Sequence, residues 1–361
     1  MPGHKILDEV LHTQKESELL TFEPQRYVNE LLEQLDSRAK NVLAKRFGLD
    51  GNRPKTLESL GKNYGITRER VRQIENLSVK QLKRSGSANL DRANKVIHGT
   101  LTEAGGVMEQ EALLDALLSD DKGSAAARAA MLFLLTLSPE VTRFAEDFNQ
   151  KTLWASSRVA HDSLVNLIGI TAQVLAKVAK PQSLEQLVAG IHQVRPNVTE
   201  AELKATLSAS KAISQNPFGE YGLVVWSEIM PKGVRDKAYL VLRKEGKPLH
   251  FLKITAKINE VKFDQRTAYP QTVHNELIKD KRFVLVGRGI YALREWGYIP
   301  GTVAEVLMQI LKAHAGPMER GELLKEVLKR RIVKRNTVLI GLQDKSRFVK
   351  LDGQRYDLVA R

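Results

Sequence analysis

The sequence contains no cysteine. That one absence excludes disulfides, thiolate nucleophiles and cysteine-based zinc or iron–sulfur sites together. Long apolar runs are lacking too: no 18-residue stretch is free of charge, and the opening MPGHKILDEVLHTQKE has no apolar h-region. The expectation is a soluble, cytoplasmic protein with no membrane role. Catalytic signatures are equally scarce. Neither GxxxxGK[ST] nor HExxH occurs, and the eight histidines include no pair at metal-ligand spacing. His250 and His274 read as core or surface residues. Gly287-Arg288-Gly289 joins two predicted strands instead of opening a helix, so it reads as a hairpin turn and not a phosphate cradle. Asp120-Asp121 falls in a predicted loop. No enzyme, cofactor or metal is expected.

What the chain does have is positive charge. Its 56 Lys and Arg outnumber 42 Asp and Glu, a formal net charge of +14. The distribution says more than the sum. Residues 1–87 hold 16 basic against 12 acidic side chains, residues 88–230 hold 12 against 16, and residues 231–361 hold 28 against 14. Within the first segment, residues 37–84 alone hold 13 against 4. The ends are basic and the middle is not, which points to a polyanionic partner met at two places.

The first place is Thr56 to Arg84, TLESLGKNYGITRERVRQIENLSVKQLKR. Thr56 with Glu58 signals a helix start, and Leu57 and Leu60 supply its apolar stripe. Gly65 breaks the helix, Ile66 tucks inward, and Thr67 caps a second helix. On that helix Val71, Ile74, Ser78 and Leu82 recur at helical spacing. Arg68, Glu69, Arg72, Gln73, Asn76 and Lys80 form the opposite row. Such a row suits a major groove, because Arg forks onto guanine and Gln or Asn onto adenine. By itself it also fits a solvated face. RAKNVLAKRFGL at 38–49, TLESLG and ITRERVRQIE closely resemble region 4 of primary-type bacterial sigma factors. That resemblance implies a helix-turn-helix reading a minus-35 promoter element and docking on the flap of the RNA polymerase beta subunit. It implies base and phosphate contacts at Arg68, Glu69, Arg72 and Gln73. No segment resembles that family's minus-10-melting helix or its main core-binding helices, so the chain is not expected to start transcription alone.

N-terminal to this stretch, residues 5–36 read as helical. Ile6, Leu7, Val10 and Leu11 form one amphipathic piece; Tyr27, Val28, Leu31, Leu32 and Leu35 form another, separated from it by Pro24. After Arg84 a repeat is visible. Trp154, Trp226 and Trp296 lie 72 and 70 residues apart, each closing a short apolar segment. Thr272, Val273, Leu277, Phe283, Tyr291 and Leu293 recur 65 residues later as Thr337, Val338, Leu342, Phe348, Tyr356 and Leu358. Each unit reads helix, turn, helix, helix, hairpin: a winged helix, in an array of period near 70. In the fourth unit Asp352-Gly353 signals a two-residue turn. VLRKEGKPLHFLKITAKIN with PQTVHNELIKDKRFVLVGRGIYALREWGY resembles a HARE-HTH winged helix, the type of the RNA polymerase delta subunit and some eukaryotic chromatin proteins. The resemblance implies DNA binding or polymerase association.

These readings give a mainly α fold with small β wings, a sigma region 4 helix-turn-helix plus about four winged-helix units. The expected boundaries are 1–36 for a helical arm, 37–86 for the helix-turn-helix, 88–160 and 161–230 for two winged-helix-like units, 231–299 for the HARE-like unit and 300–361 for the last. In 88–160 the third-helix position, SAAARAAMLFLLTLS, is too apolar to face DNA. With few cations on either, the first two units read as spacers or protein-binding modules. Candidate contacts on the third unit are Gln271, Thr272, Asn275 and Lys279, with Arg288 at the wing tip. On the fourth they are Arg331, Lys334, Arg335 and Asn336, with Arg355 in the wing. The reading is a transcription factor that binds double-stranded DNA together with bacterial RNA polymerase. The alternative is a polymerase-associated scaffold without sequence-specific binding. No long heptad seam occurs, so a monomer is expected.

Overall fold

The computed structural model describes residues 22–118 and 123–359. The Ile6–Leu11 stripe and Asp120-Asp121 lie outside the described residues. The chain forms two compact units, residues 1–214 and 215–361.

The first unit opens with α1 (Pro24–Leu32), in which Pro24 takes the first helical position and ends nothing. There its missing N–H costs no hydrogen bond. Helix α2 (Ser37–Phe47) is capped by the Asp36 carboxylate, which accepts from Ala39 N–H at 2.8 Å. Helix α3 (Leu57–Tyr64) starts at Thr56, whose hydroxyl accepts from Ser59 N–H, and stops at Gly65 with φ 64°. Helix α4 (Arg68–Arg84) starts at Thr67, whose hydroxyl accepts from Arg70 N–H. The turn between α3 and α4 is tight enough that a Cβ on Gly61 would lie 2.7 Å from the Ile66 carbonyl oxygen.

After α4 the same plan recurs. The first repeat comprises α5 (Ala88–Glu103), β1 (Val107–Glu109), α6 (Gln110–Leu117), α7 (Ala125–Leu137), β2 (Val141–Phe144) and β3 (Leu153–Ser156). The second comprises α8 (His161–Val178), α9 (Leu184–His192), α10 (Glu200–Ala209), β4 (Ile213–Gln215) and β5 (Tyr221–Leu223). Its last strand ends before the VVW segment, and Val225 is exposed.

In the second unit, the third repeat is α11 (Val234–Glu245), β6 (Leu249–His250), α12 (Phe251–Val261), α13 (Pro270–Lys279), β7 (Phe283–Gly287) and β8 (Ile290–Leu293). The fourth is α14 (Val303–His314), β9 (Met318–Glu319), α15 (Arg320–Arg330), α16 (Arg335–Gly341), β10 (Phe348–Leu351) and β11 (Arg355–Leu358).

Three of these repeats carry a strand that the sequence pattern does not show. The short strand after the first helix pairs with the last strand of the hairpin, giving the orders β1-β3-β2, β6-β8-β7 and β10-β11-β9. Stretches such as LH and ME are too short for an alternating pattern to register. The fourth hairpin also differs from the expected two-residue turn. Leu351 pairs with Arg355, so three residues turn the chain, and both Gly353 and Gln354 take positive φ.

The boundary drawn between the helix-turn-helix and the first repeat is not a boundary of packing. Tyr27, Val28, Leu31, Leu32, Leu43 and Leu82 share one core with Ile97, Met131, Phe133, Leu134 and Trp154. Phe47 and Phe133 meet with ring centroids 4.8 Å apart. The apolar α7 sequence is thus core, packed on α1, and that is why it carries no polar face. The first and second repeats are also in close contact: a Cβ on Gly105 would fall 2.5 Å from the Ala201 carbonyl oxygen.

Candidate nucleic-acid interface

A small core of Val42, Leu60 and Val71, with Leu57, Tyr64, Ile66 and Ile74 against it, sets α3 across α4. Arg46 on α2 donates to Glu75 at 3.2 Å and to the Lys55 carbonyl at 3.1 Å, tying α4 to the loop before α3. With Val71, Ser78 and Leu82 buried, the opposite row is presented to solvent: Arg68, Glu69, Arg72, Gln73, Asn76 and Lys80 are all exposed.

Several of these side chains are pre-arranged. Arg72 forks onto Glu69, with Nε and Nη2 donating at 2.9 and 2.7 Å. Those hydrogen bonds and the attraction of the ion pair hold the Glu69 carboxyl below the usual carboxylate range. Glu69 therefore stays an acceptor that orients the guanidinium. Arg70, which the outer-row reading passed over, donates to the Gln73 carbonyl oxygen at 3.0 Å. That contact leaves the Gln73 amide group free to donate. Its signal in sequence is only an i, i+3 spacing, which polar helices offer many times over.

In the third repeat Val273 and Leu277 are buried beneath α13, and Gln271, Thr272, Asn275 and Lys279 are exposed. Arg288 is exposed at the β7–β8 turn. His250 and His274 stack on either side of Phe251, with centroids 4.7 and 4.6 Å away, so both are packing residues. In the fourth repeat Lys334, Arg335, Asn336 and Arg355 are exposed.

Arg331 departs from its expected place as a fourth-repeat DNA contact: it is 7% exposed, and its Nη1 donates to the Leu285 carbonyl at 2.7 Å. A cation bonded to a backbone carbonyl inside the protein is not available to a phosphate. The third helices of the first two repeats offer no comparable face. On α7 most residues are buried, and on α10 Leu203, Ala205, Thr206, Leu207 and Ala209 are.

The fold and this exposed row define a helix-turn-helix protein followed by tandem winged-helix-like domains. Among the described residues no helix is long and apolar enough to cross a membrane. Residues 31–84 match the family model "Sigma-70, region 4", and residues 234–296 match the HARE-HTH model, a "restriction endonuclease HTH domain" type. The chain thus carries a sigma-70 region 4 domain and a HARE-HTH domain. Among curated proteins it is 35% identical over 79 residues to the RNA polymerase principal sigma factor HrdD of Streptomyces griseus. It is 34% identical over 79 residues to the protein of that name from Streptomyces viridifaciens. Each match covers 22% of this chain and 24% of the relative, so the chain spans about a quarter of the length of these relatives.

Proposed function

We propose that the chain is a DNA-binding transcription factor acting with bacterial RNA polymerase. Helix α4 reads a minus-35-type site, and the C-terminal winged helices add contacts to the same duplex. The observation that carries this reading is the fully exposed row Arg68, Glu69, Arg72, Gln73, Asn76 and Lys80 on the second helix of a region 4 domain. Arg offers a fork to guanine, and Gln and Asn a donor–acceptor pair to adenine. Modules that are weak singly bind tightly when linked, because the second contact forms at high effective concentration. No catalytic role belongs to this reading.

The alternative is a polymerase-associated scaffold whose region 4 domain docks on the beta flap without reading sequence. One feature argues against an apolar docking mode. The side of the domain formed by α1, Leu43 and Leu82 is already covered by α7 of the same chain, and a partner helix seated there would have to displace it. The acidic first and second repeats remain the surfaces this reading would use.

The test is selection of bound duplexes from a random pool, repeated with Arg68→Ala, Arg72→Ala and Gln73→Ala combined. A sharp motif lost in the variant is the expected result. A flat pool, bound equally by both proteins, would sink the sequence-reading claim and favour the scaffold.

A further inference from the structure

The loop that leads into α16 runs along the wing of the preceding repeat. Ile332 N–H donates to the Val286 carbonyl at 2.8 Å, one residue from where Arg331 Nη1 donates to the Leu285 carbonyl at 2.7 Å. No side chain fits in this seam: a Cβ on Gly287 would fall 2.6 Å from the Ile332 carbonyl oxygen. Arg331 is a costly residue to place here. Its Nε is buried with no acceptor, and burial lowers its pKa, with Glu305 opposing at a distance. The Glu305 carboxylate instead accepts from Thr302 N–H at 2.6 Å. A buried guanidinium costs free energy unless its hydrogen bonds matter. Here its one direct bond joins two domains.

The consequence lies just beyond the seam. Arg288 is two residues past Val286, and Lys334 and Arg335 are two and three residues past Ile332. Two residues of extended chain span at most about 7 Å. Arg288 and Lys334 are therefore held within roughly 20 Å of one another, less than the ~34 Å of one duplex turn. All three cations are exposed, and none has a carboxylate partner at ion-pair distance among the described residues. The wing of one domain and the recognition helix of the next thus present their charge as one surface.

We infer that Arg288, Lys334 and Arg335 form a single composite site, spanning the seam between the two C-terminal winged helices, that grips the phosphate backbone of duplex DNA. Gly287 and Arg331 are its positioning residues: they touch no phosphate but hold the two halves together. The inference deepens the proposed function and rests on it only for the choice of duplex DNA as the ligand.

The test uses the full chain carrying Arg68→Ala, Arg72→Ala and Gln73→Ala as parent, so that α4 contributes little, and a labelled duplex of about 20 base pairs of unrelated sequence, or two turns. Anisotropy titrations over a salt series give the affinity and the slope of log K against log salt. In this parent, Arg288→Ala is expected to reduce the slope by about 0.9, and Lys334→Ala with Arg335→Ala by about 1.8. Gly287→Val and Arg331→Lys leave the three contacting cations in place and are expected to weaken binding about tenfold with a shallower slope, as one half of the site loses its phosphates. Circular-dichroism melts identify any variant that fails to fold. If Gly287→Val does not fold, Arg331→Lys and the charge variants decide.

Parent-like affinity and slope in the folded positioning variants would overturn the composite site, because the two domains would then bind independently. Unchanged slopes in the charge variants would overturn it as well. Equal binding of a polyglutamate of matched charge would overturn the assignment of duplex DNA. A flat selection experiment on α4 leaves these outcomes untouched, since the parent lacks that reader, so the failure of one claim is distinguishable from the failure of the other.

Discussion

At the scale of single residues, the α4 row divides into groups that specify and groups that hold. Arg72 is already planar and oriented through its fork on Glu69, which suits it to a guanine edge. Arg72→Ala is expected to erase discrimination at one base position by about 1–3 kcal/mol. Lys80→Ala, one helical face further along, is expected to weaken all duplexes alike and lower the salt slope by about 1. Competition titrations with matched and mismatched duplexes at several salt concentrations separate the two effects.

A second residue-scale prediction concerns Asp280. Arg282 donates to it from Nε and Nη2, the latter at 2.6 Å, while Nη2 also reaches Asp236 at 2.8 Å. Hydrogen bonds from that guanidinium hold the Asp280 carboxyl below its ordinary range. A depressed carboxylate contributes stability that is complete above its unfolded pKa of about 3.9 and is lost as pH falls through the folded value. Asp280→Asn should therefore loosen the third repeat at pH 7, with the difference from wild type shrinking below about pH 4. Hydrogen exchange of the β7 amides reads this out; an Asn variant equally protected at pH 7 would contradict it.

At the scale of elements, α7 decides more than its place in the first repeat indicates. Its Phe133 is fully buried and touches Phe47 at the end of α2, so it belongs to the helix-turn-helix as much as to the repeat that encodes it. Phe133→Ala is expected to cost about 3–5 kcal/mol and to loosen α1 and α2 along with α7. Denaturation followed by exchange at the α2 amides tests this. Loss of protection confined to residues 88–156 would show that the two pieces fold separately. The same element explains a pattern read but not placed from sequence: an apolar third helix, too short for a membrane, is core.

At the scale of the whole molecule, charge is carried by the two ends, with the acidic first and second repeats between them. Binding by such a chain is expected to survive loss of its sequence reader. The variant lacking Arg68, Arg72 and Gln73 should still hold duplex DNA at low salt, with affinity falling by orders of magnitude between 50 and 200 mM salt, roughly as 10³ or more for six phosphate contacts. Fluorescence titration at those two concentrations measures it. Salt-independent residual binding would mean that the basic C-terminal third does not meet phosphate.

How far the sequence alone reached follows from which signals are local. Caps at Thr56 and Thr67, the Gly65 break, the inward stripe Val71, Ser78 and Leu82 and the outward row from Arg68 to Lys80 depend on neighbours three or four residues away, and the chain states them outright. The winged-helix plan was legible for the same reason, through its recurrence in the third and fourth repeats. The short strands β1, β6 and β9 were not, because two or three residues carry no period and become strands only when the distant hairpin pairs with them. Arg331 was misplaced for a related reason. In sequence it is one more cation before a recognition helix, and only the approach of β7, 46 residues away, supplies the carbonyl that buries it. Composition and periodicity determined which elements form and which faces are polar. Tertiary packing decided which of those faces remain free, because burial depends on what arrives from elsewhere in the chain.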